Sequence, residues 1–175
     1  MRTVAPHAGF SLIELMVTIA VLAVLLGIAI PSFQSMLEKQ RLVGAAEQLY
    51  EDLQYARTEA IKRNANVFVS FTTGSNWCYG IALATCTCGT AGSCQLSGVD
   101  KVVSGTDFRG VSLESNFGGS TRFEPRRGTV PGGNGTATLS SNYGSIKIIV
   151  GSLGRVRICS DSASLTKYKP SSGSC

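Results

Sequence analysis

Histidine is almost missing from this chain: there is one imidazole, His7, among 175 residues. His7 falls in a short N-terminal stretch that the pattern described below marks for removal. The remaining protein would then carry no imidazole, which excludes His-based acid–base catalysis and His-ligated metal sites. Charge is scarce too, at 15% of residues. No glycine-rich phosphate loop follows a strand and opens a helix, and no pair of carboxylates stands out. The expectation is a protein that is not an enzyme and holds no cofactor and no metal. The length is also too small for a barrel enzyme or a two-domain kinase, leaving room for one modest domain plus an appendage.

The charge that is present is unevenly spread. Residues 1–108 carry seven basic and eight acidic side chains, whereas 109–175 carry nine basic and three acidic, so the whole formal excess of +5 belongs to the C-terminal third. A basic surface there favours an anionic partner.

Charge is scarcest between Phe10 and Ile30, a run of 21 residues in which Glu14 is the only ionisable side chain. At about 1.5 Å per residue this makes roughly 31 Å of helix, the thickness of a bilayer hydrocarbon core. The plausible processing signal, Ala8-Gly9, precedes the apolar run, so the anchor would survive cleavage. An isolated carboxylate in hydrocarbon costs a few kcal/mol, and Glu14 therefore needs neutralising. A cut between Gly9 and Phe10 places the new α-amino group of Phe10 about one turn from Glu14, where the helix dipole also favours negative charge. Two readings follow: a carboxylate tolerated near the membrane surface, or one that recruits the amino terminus of a neighbouring copy during assembly.

The segment Gly9-Phe10-Ser11-Leu12-Ile13-Glu14-Leu15, with a short leader before it and an apolar helix carrying Pro31 after it, resembles the class III signal of type IV pilins and type II secretion pseudopilins. The resemblance implies a leader at 1–9, cleavage after Gly9 by a prepilin peptidase, N-methylation of Phe10, and a role for Glu14 in packing into a helical filament. It implies major and minor pilins as partners. It also implies a single-pass helix in the inner membrane with a periplasmic head before assembly, and a place on the pilus or cell surface afterwards.

Pro31 should loosen the helix near Gly27 rather than end it. Beyond it, Leu42, Ala45, Leu49, Leu53, Ala56 and Ala60 recur at three- and four-residue spacing, while most charged residues fall elsewhere. The expected organisation is a transmembrane and assembly helix at 10–30, an amphipathic second half at 31–64, and a β-rich head at 65–175, where 17 of the 20 glycines lie. Asn64 and Asn66 are the expected stop. Strands are expected at Val67–Thr72, Trp77–Thr85, Val111–Ser115, Thr121–Glu124, Thr136–Ser140, Ser145–Val150 and Arg155–Cys159. Gly74, Gly132-Gly133-Asn134-Gly135, Asn142-Tyr143-Gly144 and Gly151-Ser152-Leu153-Gly154 are spaced for hairpins. The fold class is α+β: a long N-terminal helix whose second half packs on an antiparallel head.

Trp77-Cys78-Tyr79-Gly80-Ile81, Phe123-Glu124-Pro125-Arg126-Arg127-Gly128 and Gly154-Arg155-Val156-Arg157 look like the GspH/FimT family of minor pilins and pseudopilins. The tryptophan and the Phe-Pro-Gly element read as core and turn. Six cysteines in an exported head read as three disulfides. Cys159 and Cys175 are expected to join, closing a loop that includes Lys167 and Lys169. Cys78, Cys86, Cys88 and Cys94 allow three pairings, which stay open. Their spacing does not match the paired two-residue spacers of a zinc ribbon.

Three functions share this N-terminus: a structural minor pilin of the pilus-tip priming complex, a type II secretion minor pseudopilin, and a minor pilin whose head binds extracellular DNA in natural transformation. Gly154-Arg155-Val156-Arg157 resembles the Gly-Arg-x-Arg motif of the FimT branch, in which the two arginines carry DNA binding. Arginines two apart on a strand point to one side about 6–7 Å apart, close to the spacing of successive phosphates. The preceding turn is expected to leave backbone N–H groups free beside them. Arg122, Arg126, Arg127, Lys147, Lys167 and Lys169 are candidates to widen the footprint on double-stranded DNA.

Overall fold

The computed structural model describes residues 10–132, 134–170 and 175, so the leader 1–9, Gly9 included, and Gly133 of the expected glycine-rich turn lie outside the described residues. The chain divides into two compact units, Met1–Leu37 and Glu38–Cys175. Helix α1, Leu12–Arg63, begins in the first and ends in the second. It is helical on both sides of Pro31, in keeping with a proline that does not end the element.

In the first unit, Leu12, Ile13, Val17, Val21, Leu25 and Ile28 are all exposed. Among the described residues this one helix is long and apolar enough to cross a bilayer. Its apolar side chains run all round the helix, the pattern of a segment that meets an apolar medium on every side.

In the second unit α1 has a single buried stripe of Leu42, Ala45, Ala46, Leu49, Leu53, Ala56 and Ala60. The three leucines each contribute roughly 1.5–3 kcal/mol by leaving water, and the alanines let the helix approach its neighbours closely. The helix stops as the asparagines suggested. Asn64 takes a left-handed φ of 51°, its N–H donates to the Ile61 carbonyl at 3.3 Å, and the Ala65 N–H donates to the Ala60 carbonyl at 3.2 Å. This pair of bonds is a Schellman cap, which satisfies carbonyls the helix end would otherwise leave open.

Ten strands follow: β1 (Val67–Thr72), β2 (Cys78–Ala82), β3 (Gln95–Leu96), β4 (Val99–Asp100), β5 (Val102–Ser104), β6 (Ser112–Ser115), β7 (Ser120–Phe123), β8 (Gly135–Ser141), β9 (Gly144–Val150) and β10 (Val156–Cys159). They form two four-stranded sheets, ordered β5-β2-β1-β7 and β10-β9-β8-β6, and a two-stranded β3-β4 ribbon. All pairings are antiparallel. The inner faces of the sheets (Val67, Val69, Tyr79, Phe123, Leu139, Ile146, Ile148) join the helix stripe in one buried cluster. Tyr79 also ties sheet to helix, its hydroxyl donating to Asp52 Oδ2 at 2.7 Å. Burial and the nearby Asp52 carboxylate push the Tyr79 phenol well above its ordinary range, so it stays a donor. Trp77 is buried, with its indole N–H donating to the Val111 carbonyl at 2.8 Å.

Strands β3 to β5 were not expected. They span two or three residues each, too few for an alternating pattern to show, and are held by a turn and by crosslinks. Ser97 and Gly98, at φ 61° and 76°, form the two-residue turn of β3-β4, whose twist suits a hairpin. Disulfides join Cys78 to Cys88 and Cys86 to Cys94, two overlapping loops beneath that ribbon. Gly80 of β2 makes room for them: a Cβ there would lie 2.3 Å from Cys94 Sγ.

Candidate functional site

β10 is an edge strand, paired on one side with β9 alone. Its alternation sorts the side chains. Val156 is buried, while Arg155 and Arg157 are exposed on the opposite face. Cys159 shares the parity of the two arginines, and its disulfide to Cys175 brings the C-terminal segment onto that same face. The Ser160 N–H donates to the Tyr168 carbonyl at 2.9 Å, folding the segment back beside the end of β10.

The result is a trough of about 650 Å³ between β10, Tyr50 of α1, and the segment that carries Lys167, Tyr168, Lys169 and Pro170. Arg155, Arg157, Lys167 and Lys169 line it, and no Asp or Glu side chain does so among the described residues. Arg155, Arg157 and Lys169 form no ion pair among the described residues. Such a concentration of cations along an exposed edge also blunts strand-to-strand association. Chemically it suits a chain of phosphates.

Arg126 and Arg127 are exposed in the turn after β7. That turn is seated on the one before β10: the Val130 N–H donates to the Ser152 carbonyl at 2.9 Å. A Cβ on Gly154 would fall 1.7 Å from the Gly128 carbonyl oxygen. Gly154 also has φ +75°, so both space and backbone demand glycine there. Arg57 of α1 supports the junction, its Nε–H donating to the Gly128 carbonyl at 3.2 Å. The two arginine-bearing turns are therefore one packed unit, a contact that sequence reading did not reveal.

One expectation about this site needs correcting in part. Two of the four N–H groups of the turn Gly151–Gly154 are taken: the Gly151 N–H donates to the Arg155 carbonyl at 2.9 Å and the Gly154 N–H to the Gly151 carbonyl at 2.8 Å. Two of the supporting cations are paired within the chain. Lys147 Nζ lies 2.7 Å from Asp161 Oδ2, and Lys167 Nζ lies 2.8 Å from Glu47 Oε1. Lys147 and the Cys175 N–H hold the Asp161 carboxyl below its ordinary value, and Lys167 and Tyr168 do the same for Glu47. Arg122, meanwhile, sits over the Phe68 ring at 6.0 Å, away from the trough.

Residues 45–154 match the family model described as Type II transport protein GspH, and residues 5–30 match the prokaryotic N-terminal methylation motif. Among solved structures, the type IV minor pilin FimU of Pseudomonas aeruginosa strain PAO1, in space group P21, is similar in fold, with a TM-score of 0.52 and 21% identity over 69% of this chain and 90% of that one. A second crystal form of FimU, in space group P65, gives a TM-score of 0.49 and 20% identity over 66% of this chain and 90% of that one. A comparison with curated proteins returned no match. With more than half its length matching the family model and the methylation motif on its apolar helix, the chain belongs to the GspH family of type IV minor pilins and pseudopilins, membrane-anchored structural proteins rather than enzymes.

Proposed function

We propose that this chain is a minor pilin whose head binds double-stranded DNA through its phosphates, without sequence preference, for uptake in natural transformation. The observation that carries this reading is the four-cation trough on the exposed edge of β10, free of Asp and Glu side chains in its lining among the described residues. Arg155 and Arg157 form its centre, with Lys169 beside them and Arg126 and Arg127 on the adjoining turn. Nothing nearby is built to read base edges: there is no basic recognition helix and no stacking platform of exposed aromatics among the described residues. In this reading the leader is cut between Gly9 and Phe10, Phe10 is N-methylated, and Glu14 directs packing among other pilins. The head faces the periplasm before assembly and the exterior after it.

The test uses the full chain in a non-ionic detergent and duplexes of unrelated sequence. Single-head binding should be weak, about micromolar to hundreds of micromolar, and should strengthen with DNA length. Arg155→Gln with Arg157→Gln should weaken it equally for all sequences and flatten the salt slope by about two ion equivalents, leaving the fold intact. Binding by this variant equal to wild type overturns the reading. In that case a structural place in a pilus tip or a secretion pseudopilus takes over.

A further inference from the structure

An acidic neighbour of the trough comes from a distant part of the chain. Glu47 lies on α1, 120 residues before its partner Lys167. Lys167 Nζ donates to Glu47 Oε1 at 2.8 Å, and the Tyr168 hydroxyl donates to the same oxygen. Lys167 also lies over the Tyr168 ring, 5.1 Å from its centroid. Of the four trough cations, therefore, one is already neutralised from within the chain.

We propose that Glu47 is an intramolecular competitor for the polyanion: it occupies Lys167 in the free head and yields that lysine when a phosphate enters the trough. This rests on the DNA-binding reading above. A phosphate approaching Lys167 exchanges one anionic partner for another, so the lysine adds little net affinity, and binding is carried by Arg155, Arg157 and Lys169. Glu47 thus keeps the head's grip weak enough to let DNA slide and be released, a property that suits a transporter of DNA more than a store of it. The lowered pKa of the Glu47 carboxyl keeps it ionised, and competing, at neutral pH. Tyr168 is buried and its hydroxyl bond anchors the segment, so the competitor also fixes where Lys167 and Lys169 stand.

The experiment measures DNA affinity of the full chain in detergent across a salt series. Glu47→Gln keeps an oxygen acceptor for the Tyr168 hydroxyl while deleting the charge. It should tighten binding about three- to tenfold at low salt and steepen the salt slope by about 0.9, one additional phosphate contact. Adding Lys167→Gln should abolish that gain, whereas Lys167→Gln alone in the wild-type background should change affinity by less than about twofold. Glu51→Gln, which deletes the same charge one turn along α1, should give a smaller gain that Lys167→Gln does not remove. Glu47→Gln no tighter than wild type, or no tighter than Glu51→Gln, overturns the proposal. If Glu47→Gln lowers the melting temperature, the single Lys167→Gln and Lys169→Gln variants decide: equal losses overturn it, and a loss confined to Lys169→Gln supports it. Wild type that shows no salt-dependent DNA binding sinks the DNA reading itself, whereas DNA binding that needs Arg155 and Arg157 but ignores Glu47 sinks only this inference.

Discussion

The two ends of α1 obey different physics. From Leu12 to Met36 its large apolar side chains are exposed within the chain, whereas from Leu42 to Ala60 a single stripe of leucine and alanine is fully buried. The same backbone geometry serves a lipid or filament environment in the first case and an intramolecular core in the second. The difference lies in where polar residues are allowed. The N-terminal stretch admits one carboxylate, Glu14, while the later stretch surrounds its stripe with charges such as Glu47, Asp52 and Arg57 that find partners in the head.

The comparison breaks most severely at Glu14. Glu14→Val should leave membrane insertion intact but nearly abolish recovery of the protein in sheared filaments; normal abundance there would remove its role in packing. Next comes Leu53→Ala, which should cost the head about 2–5 kcal/mol through lost burial and a residual cavity. Leu26→Ala in the exposed stretch should leave the head's melting transition unmoved. Equal effects of the two would mean that the halves of the helix are not energetically distinct. Replacing Cys159 and Cys175 together by serine should cost roughly 3 kcal/mol in the chain-entropy account of a 16-residue separation, and denaturant titration of the oxidised protein would show it.

The smallest effect is the response to acid. The Glu47, Glu59 and Asp161 carboxyls are held below their ordinary values of 4.5, 4.5 and 3.8 by their lysine and arginine partners. Their stabilisation is therefore complete above the ordinary values and is lost as pH falls through the lower folded ones. The melting temperature should hold steady from neutral pH to about 5 and decline gently below about 4. A decline already present between pH 7 and 5 would point to a different titrating group.

The helix was legible because its stripe repeats at 3.6 residues and its stop uses an asparagine that tolerates positive φ. The longer strands β8 and β9 were legible because alternation has room to show over seven residues. The β3-β4 ribbon was not, because it depends on crosslinks and on the Lys101 N–H donating to the Cys94 carbonyl at 2.8 Å. At the candidate site, the alternation of Arg155, Val156 and Arg157 could be read from the chain alone. The Gly154–Gly128 contact and the hold of Glu47 on Lys167 could not, since each depends on which distant segments the fold brings together. Glu59 is a different case: it is buried, yet its partners are local, its carboxylate receiving Arg63 Nε–H at 2.5 Å and Lys62 Nζ at 3.4 Å from the next turn of α1.

The overlap of the Cys78–Cys88 and Cys86–Cys94 bridges bears on durability under proteolysis. A single peptide-bond cut anywhere between Cys78 and Cys94 is spanned by at least one bridge, and a cut at Thr87 is spanned by both. The exposed residues of that loop, such as Leu83, Thr90 and Gly92, can therefore be nicked without releasing a fragment. Two nicks on either side of a bridged cysteine still leave the excised piece tethered, so this corner of the head is built to stay whole where enzymes that degrade proteins reach it.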